Sequence, residues 1–228
     1  MHRFLPVVLF LLMLQACTSG SEPTPPEVEV DQPESSFSDQ QPPLSAEDYR
    51  DLTDRAVTLF NNRAYLLEDA NEDDELKKWF IRYYIQKHEF EEDWDEEEIL
   101  QLALDRQSYE KAWRKYAEDE YDVTISEEMI KQQAEYNVQV YQDSMPPIIK
   151  GMSASLDKTI EEFMTEFDRD HVERTVIWQR LIPTLLEEYE QEASDYVNGV
   201  FLRQEFDEEV LTYMEEEYDE EVPEIYDP

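Results

Sequence analysis

From Ser45 onward, apolar residues recur at three- and four-residue spacing, the period of amphipathic helices packed on a core. The first stripe is Leu52, Ala56, Leu59, Phe60, Ala64 and Leu67, with Ser45 at the N-cap position. After the acidic turn Asn71–Asp74, Leu76, Trp79, Phe80, Tyr83 and Tyr84 make a second face. A third helix opens after Asp93 or Asp95 and carries Ile99, Leu102, Ala103, Tyr109, Trp113 and Tyr116. Ser126 caps a fourth, with Ile130, Ala134, Val138 and Tyr141, which must stop by Met145 because Pro146-Pro147 follows. Lys150 to Ser153 reads as a loop. Thr159 and Glu162 make a capping box that opens a short helix through Phe163 and Phe167. A long helical pattern then runs from about Asp170 to Glu217, with Val172, Val176, Leu185, Tyr189, Tyr196, Val200 and Met214, and Pro183 is expected to kink or break it near Arg180. No stretch alternates with period two. The predicted fold class is all-α: an irregular helical bundle with one long kinked C-terminal helix, preceded by a disordered tether.

The N-terminus has a different character. His2 and Arg3 precede an apolar run from Phe4 to Leu14, about 11 residues, where crossing a bilayer takes roughly 20. The run ends in Leu14-Gln15-Ala16-Cys17, which resembles the bacterial lipobox: cleavage after Ala16 makes Cys17 the acylated mature N-terminus. That resemblance implies a signal peptide over residues 1–16 and a lipid anchor at Cys17, on the outer face of the cell membrane. Two or more acyl chains hold a soluble domain at a membrane far better than one does. Residues 18–44 hold six of the twelve prolines among Ser, Gln and Glu, too little apolar surface to fold. Extended at ~3.1 Å per residue, this linker reaches at most roughly 80 Å. The expected organisation is therefore a signal peptide (1–16), lipidated Cys and linker (17–44), a helical domain (45–218) and an acidic tail (219–228).

Charge and composition narrow the function. The 228 residues hold 58 Asp+Glu against 19 Lys+Arg, a formal net charge of −39 that excludes generic nucleic-acid binding, since phosphate backbones require clustered cations. Three glycines argue against glycine-rich phosphate loops. One cysteine and three histidines leave little for internal disulfides, His-based metal sites or nucleophilic catalysis. Asp69-x-Asn71-x-Asp73 imitates the start of an EF-hand loop, but Asp74 stands where Gly is required and Phe80 where the bidentate Glu belongs. His88-Glu89 lacks a second His four residues on. Asp170-His171 has no nucleophile in a strained turn beside it. Carboxylate pairs are too numerous to be diagnostic. The reading is a protein that is not an enzyme, with no cofactor and no metal.

The run from Asp95 through Ile99-Leu100-Gln101-Leu102-Ala103 to Trp113-Arg114-Lys115-Tyr116-Ala117, followed by Val123-Thr124-Ile125-Ser126-Glu127-Glu128-Met129-Ile130, resembles the N-terminal chaperone module of SurA-type peptidyl-prolyl isomerases and of the foldase lipoproteins of Gram-positive cell surfaces. Thr159-Ile160-Glu161-Glu162-Phe163 matches the start of that module's short helix, and Arg174 to Leu181 the start of its last one. The match spans roughly residues 93 to 200. Two positions depart from it: Asp122 stands at the family's helix-ending Gly, so another turn is expected there, and Met129 at a capping-box acid. The roughly 90-residue parvulin domain has no room in this chain. What the resemblance implies is binding of unfolded or extended polypeptides without isomerase activity. The alternative is a helical lipoprotein that binds one protein partner in an envelope, sporulation or germination complex. Trp113, Met152, Phe163, Met164 and Trp178 are the candidate peptide-binding residues, because aromatic and flexible Met side chains suit varied apolar segments. The competing role for the same side chains is core.

Overall fold

The structure, a computed structural model, describes residues 43–64, 74–189 and 199–218. The expectations for residues 1–16, Cys17, most of the linker, the EF-hand-like run and the acidic tail lie outside the described residues. Within them the regular structure is helical throughout, as the apolar spacing predicts. The order is α1 (Ala46–Ala64), α2 (Asp74–Phe90), α3 (Glu96–Asp119), α4 (Glu127–Asp143), α5 (Pro147–Ser155), α6 (Ile160–Glu162) running into a π-helical turn (Phe163–Phe167), α7 (Arg169–Tyr189) and α8 (Gly199–Tyr218).

Local chemistry sets the boundaries. Ser45 caps α1, its Oγ accepting from the Asp48 N–H at 3.2 Å while Asp48 accepts from the Ser45 N–H at 2.8 Å. Asp95 with Glu98, and Thr159 with Glu162, form complete capping boxes that satisfy orphan N–H groups at both helix starts. Ser126 caps α4 through the Met129 N–H alone, consistent with a methionine where the reciprocal acid would stand. Asp122 corrects one expectation: the turn is not replaced, because Asp122 itself takes the left-handed conformation (φ 52°). Glu91 and Asp157 do the same at φ 58° and 53°, so acidic residues fill positions that glycine usually takes.

Two further boundaries differ from expectation. The stretch Lys150–Ser153 is not a loop but the middle of α5, which starts with Pro147 in its first turn, where a missing N–H costs nothing. Gly151 serves close approach here and not a turn: a Cβ on it would lie 2.5 Å from the Ala46 carbonyl oxygen and 2.8 Å from the Arg50 nitrogen of α1. The long C-terminal pattern, in turn, is divided into α7 and α8. The helix continues through Pro183 to Tyr189, and α8 packs back on α3 and α7. The Tyr189 hydroxyl bonds Glu209 twenty residues on, which a single straight helix would hold about 30 Å away. Pro183 is exposed and evidently tolerated within α7.

Two apolar clusters make the core. One joins α1, α2, the first half of α3, α4, α5 and the π-helical turn around Phe60, Phe80, Ile85, Ile99, Phe163 and Met164. The other joins the second half of α3 to α7 and α8 around Trp113, Leu181, Leu185, Phe206 and Val210. Both α3 and α7 contribute to both clusters. At the changeover, near Arg106–Glu110 of α3 and Asp170–Arg174 of α7, the contacts turn from apolar to charged.

Candidate functional site: a groove beside α4 and a charged seam

The five residues nominated as a peptide cradle do not form one. Trp113 is wholly enclosed, its Nε1 donating to Asp207 at 3.1 Å and its ring meeting Phe206 edge-on at 5.2 Å. Met152, Phe163 and Met164 are buried in the first cluster, and Trp178 is half-buried against the second. This corrects the expectation: Met152 sits in a helix pressed onto α1, and the π-helical turn points Phe163, Met164 and Phe167 inward together. Trp113, Met152, Phe163 and Met164 fill the interior, which leaves them unavailable to a client.

One stretch of apolar surface that faces solvent lies beside α4. Lys131, Ala134, Glu135, Val138, Gln139 and Gln142 follow one another at three- and four-residue spacing and so share one face. Glu161 and Thr165, on α6 and the π-helical turn, stand opposite and close a groove of about 380 Å³. Ala134 and Val138 supply the apolar floor, and the rim is polar. The stripe covers eleven residue steps, about 16 Å, enough for three helical turns or about five extended residues of a guest. Arg169 of α7 holds α4 in place by a forked pair to Glu127 at 2.6 and 3.0 Å, and Gln179 donates to Gln133 at 3.2 Å. On another flank of α4, Tyr136 and Val140 are exposed, at 60% and 52%.

The second feature is the seam between the two clusters. Arg82 of α2 pairs with Asp170 and, at 3.0 Å, with Asp168. Glu110, 2% exposed, receives Arg106 of its own helix and Arg174 of α7. The guanidinium groups of Arg82 and Arg106 stack on the Trp79 ring, 4.4 and 4.9 Å from its centroid, while Arg174 lies 4.3 Å from that of Trp113. Such stacking shields the charges from water while keeping their forks in plane for carboxylates. The two aspartates answer oppositely. Burial raises the Asp170 carboxyl, but the hydrogen bond and charge of Arg82 outweigh it and hold that group below its ordinary range. At Asp168 burial wins over Arg82, and the carboxyl is pushed up.

A third polar cluster joins α3, α7 and α8: Tyr116, Tyr121 and Tyr189 all donate to Glu209, the first two at 3.1 and 2.8 Å. Burial, then the neighbouring carboxylate, pushes all three phenols up. Among the described residues there is no group of three or more His, Cys, Asp and Glu side chains placed to hold a metal, and no helix long and apolar enough to cross a membrane. His171 is exposed beside the seam, without a nucleophile.

No protein family, curated protein or solved structure matches the chain.

Sequence reasoning missed both features. The groove carries few large apolar residues, and its floor consists of an alanine and a valine. The seam had a partly legible signal: Trp79/Arg82 and Arg106/Tyr109 place an arginine one turn from the aromatic it lies on, whereas Arg174 reaches Trp113 on another helix.

Proposed function

We propose that the protein is an extracytoplasmic lipoprotein, anchored by acyl chains on Cys17, whose helical part holds a short segment of another polypeptide in the groove between α4 and the π-helical turn. The observation that carries this is the groove itself: an apolar floor, a polar rim and an open side on helices braced from behind by Arg169. The occupant is a short apolar segment flanked by Lys or Arg. Glu135 and Glu161 line the rim beside Lys131, Glu128 is exposed nearby, and a chain of net charge −39 draws such a segment in from a distance. The resemblance to SurA-type modules supports a polypeptide as the ligand, and no catalysis is part of the proposal.

Two versions differ in breadth. A general holdase needs a wide apolar surface, whereas the exposed large apolar residues among those described (Phe90, Tyr136, Val140, Met145 and Val200) are spread over several elements. The groove's small size favours the narrower version, a receptor for one partner's segment in an envelope complex. The full chain in nanodiscs, titrated with labelled apolar–basic peptides, is expected to bind through the groove. Val138→Glu should weaken binding about tenfold, as expected for losing an apolar contact and adding a buried charge. Val200→Glu on α8 should not. Equal binding by V138E and wild type, with helicity intact, would falsify the groove. Suppressed aggregation of several unrelated clients would decide for the broad version. The anchor is tested apart: Cys17→Ala should release the protein from membranes and remove diacylglycerol from the N-terminal peptide in mass spectra.

A further inference from the structure

Charge is so dense in this chain that a stretch without it marks a place. Of all residues 34% are charged, yet among the eleven from Gln132 to Gln142 of α4 only Glu135 is, and among the twelve from Thr175 to Leu186 of α7 only Arg180. The two stretches are neighbours. The helices α4 and α7 run side by side in the same direction, joined by Glu127 to Arg169 and, further along, by Gln133 to Gln179 at 3.2 Å. On the flank where those glutamines meet, each helix carries an uncharged stripe at three- and four-residue spacing. Met129, Gln133, Tyr136 and Val140 make that of α4, and Val172, Val176, Gln179 and Pro183 that of α7. Val172 and Val176 are buried. Past the glutamine pair the same stripes lie open, with Tyr136, Val140 and Pro183 all exposed.

Glu135 belongs to the groove on the other flank, so Arg180 is the charge this face keeps. It is exposed and forms no ion pair with a described residue. Interface centres lose Asp, Glu and Lys and gather Tyr and Arg, which is the composition found here. Size narrows the occupant. From Gln133 to Val140 the open stripe rises about 10 Å, and two helices side by side are about 20 Å across, a face of roughly 200 Å². A standard interface takes about 800 Å² from each partner, so a second copy, bringing another net charge of −39, is a poor fit. The walls are helices whose backbone groups are paired internally, so an extended guest would find no main-chain partners, whereas a helix satisfies its own. We propose that this face seats one amphipathic helix of another protein, with apolar side chains on Tyr136, Val140 and Pro183 and a carboxylate on Arg180. The seat is separate from the groove beside α4.

The probe is a stapled, fluorescently labelled helical peptide with leucines one turn apart along one face, a glutamate beside them and no net charge. Titrated against the full chain and followed by anisotropy, it should bind saturably. Tyr136→Glu and Arg180→Glu should each weaken it at least about tenfold, the scale of an interface anchor. A peptide with lysine in place of its glutamate should recover binding to R180E and lose it to wild type. Val138→Glu, in the groove, should change nothing, so this seat and the groove stand or fall separately. No saturable binding, equal binding of a proline-interrupted peptide of the same composition, or a loss in V138E as large as in Y136E would each overturn the proposal. Sedimentation that shows self-association abolished by Y136E would give the face to a second copy and overturn it too. Both substituted side chains are exposed. If Y136E nevertheless loses helicity, the charge exchange at Arg180 decides.

Discussion

Replacing Gly151 by alanine should destabilise the protein, although helix propensity alone predicts the reverse. An interior helix position gains about 0.5–1 kcal/mol on exchange of glycine for alanine. At Gly151, however, the new Cβ would lie 2.5 Å from the Ala46 carbonyl oxygen, 2.6 Å from the Tyr49 Cβ and 2.8 Å from the Arg50 nitrogen. Two of these atoms are backbone of α1 and cannot swing aside, so α1 must retreat. Opening a packed face by 0.5–1 Å already forfeits a quarter to a half of each dispersion contact across it. Overpacking of this kind costs about 1–3 kcal/mol or more, which outweighs the propensity gain and leaves a net loss of about 1–2 kcal/mol. For a folded part of this size that lowers Tm by about 2–8 °C. Urea unfolding followed by far-UV circular dichroism measures it, with Gly199→Ala as control, since nothing lies within 4 Å of a Cβ there. G199A should be neutral or stabilising by a few tenths of a kcal/mol. A G151A protein at least as stable as wild type would mean that α1 does not rest on α5 at this distance.

Glu91→Gly should stabilise by about 1 kcal/mol, because Glu91 holds a left-handed conformation (φ 58°) that costs a non-glycine residue that much; a lower urea midpoint than wild type would count against it. The two seam aspartates should respond oppositely. Asp170→Asn at pH 7 costs about 2–3 kcal/mol by leaving Arg82 without its main partner, whereas Asp168→Asn is neutral or stabilising; equal losses at both sites would refute the assignment. Their pH signatures differ in sign: the depressed Asp170 adds stability above its unfolded pKa of about 3.9 that disappears as pH falls through the lower folded value. The raised Asp168 imposes a penalty above its folded pKa that acid relieves. At the alkaline end, burial and then Glu89 push Tyr49 up to about 12, and Tyr116, Tyr121 and Tyr189 are raised as well. Unfolded phenols ionise near pH 10, so above it the unfolded chain binds fewer protons and stability falls as pH rises. Tyrosinate absorbance should appear together with loss of helicity, and ionisation of all the tyrosines near pH 10 with helices intact would contradict it.

The helices were legible because their signals are local. Ser45, Asp95, Ser126 and Thr159 announce themselves as caps, and the apolar stripes of α1 to α4 fix which face turns inward. What failed depended on neighbours. Gly151 reads as a turn until α1 is known to lie against it, and Pro183 reads as a break although an exposed position inside α7 accommodates it. The nominated binding residues were misplaced for a similar reason. Trp113 or Met164 can line a cradle or fill a core equally well by spacing, and only the packing of α7 and α8 around α3 for the one, and of the first cluster around the π-helical turn for the other, shows that both are enclosed. The arginine seam was hidden because its partners are far apart in sequence: Arg82 meets Asp170 across 88 residues and Arg174 meets Glu110 across 64.

The helix α3, 24 residues and about 36 Å long, threads both apolar clusters. A rod that belongs to two interiors cannot be surrendered by one of them alone. Strain introduced at either end by a substitution is therefore felt at the other, and the midpoint where Arg106 and Glu110 sit is the fulcrum.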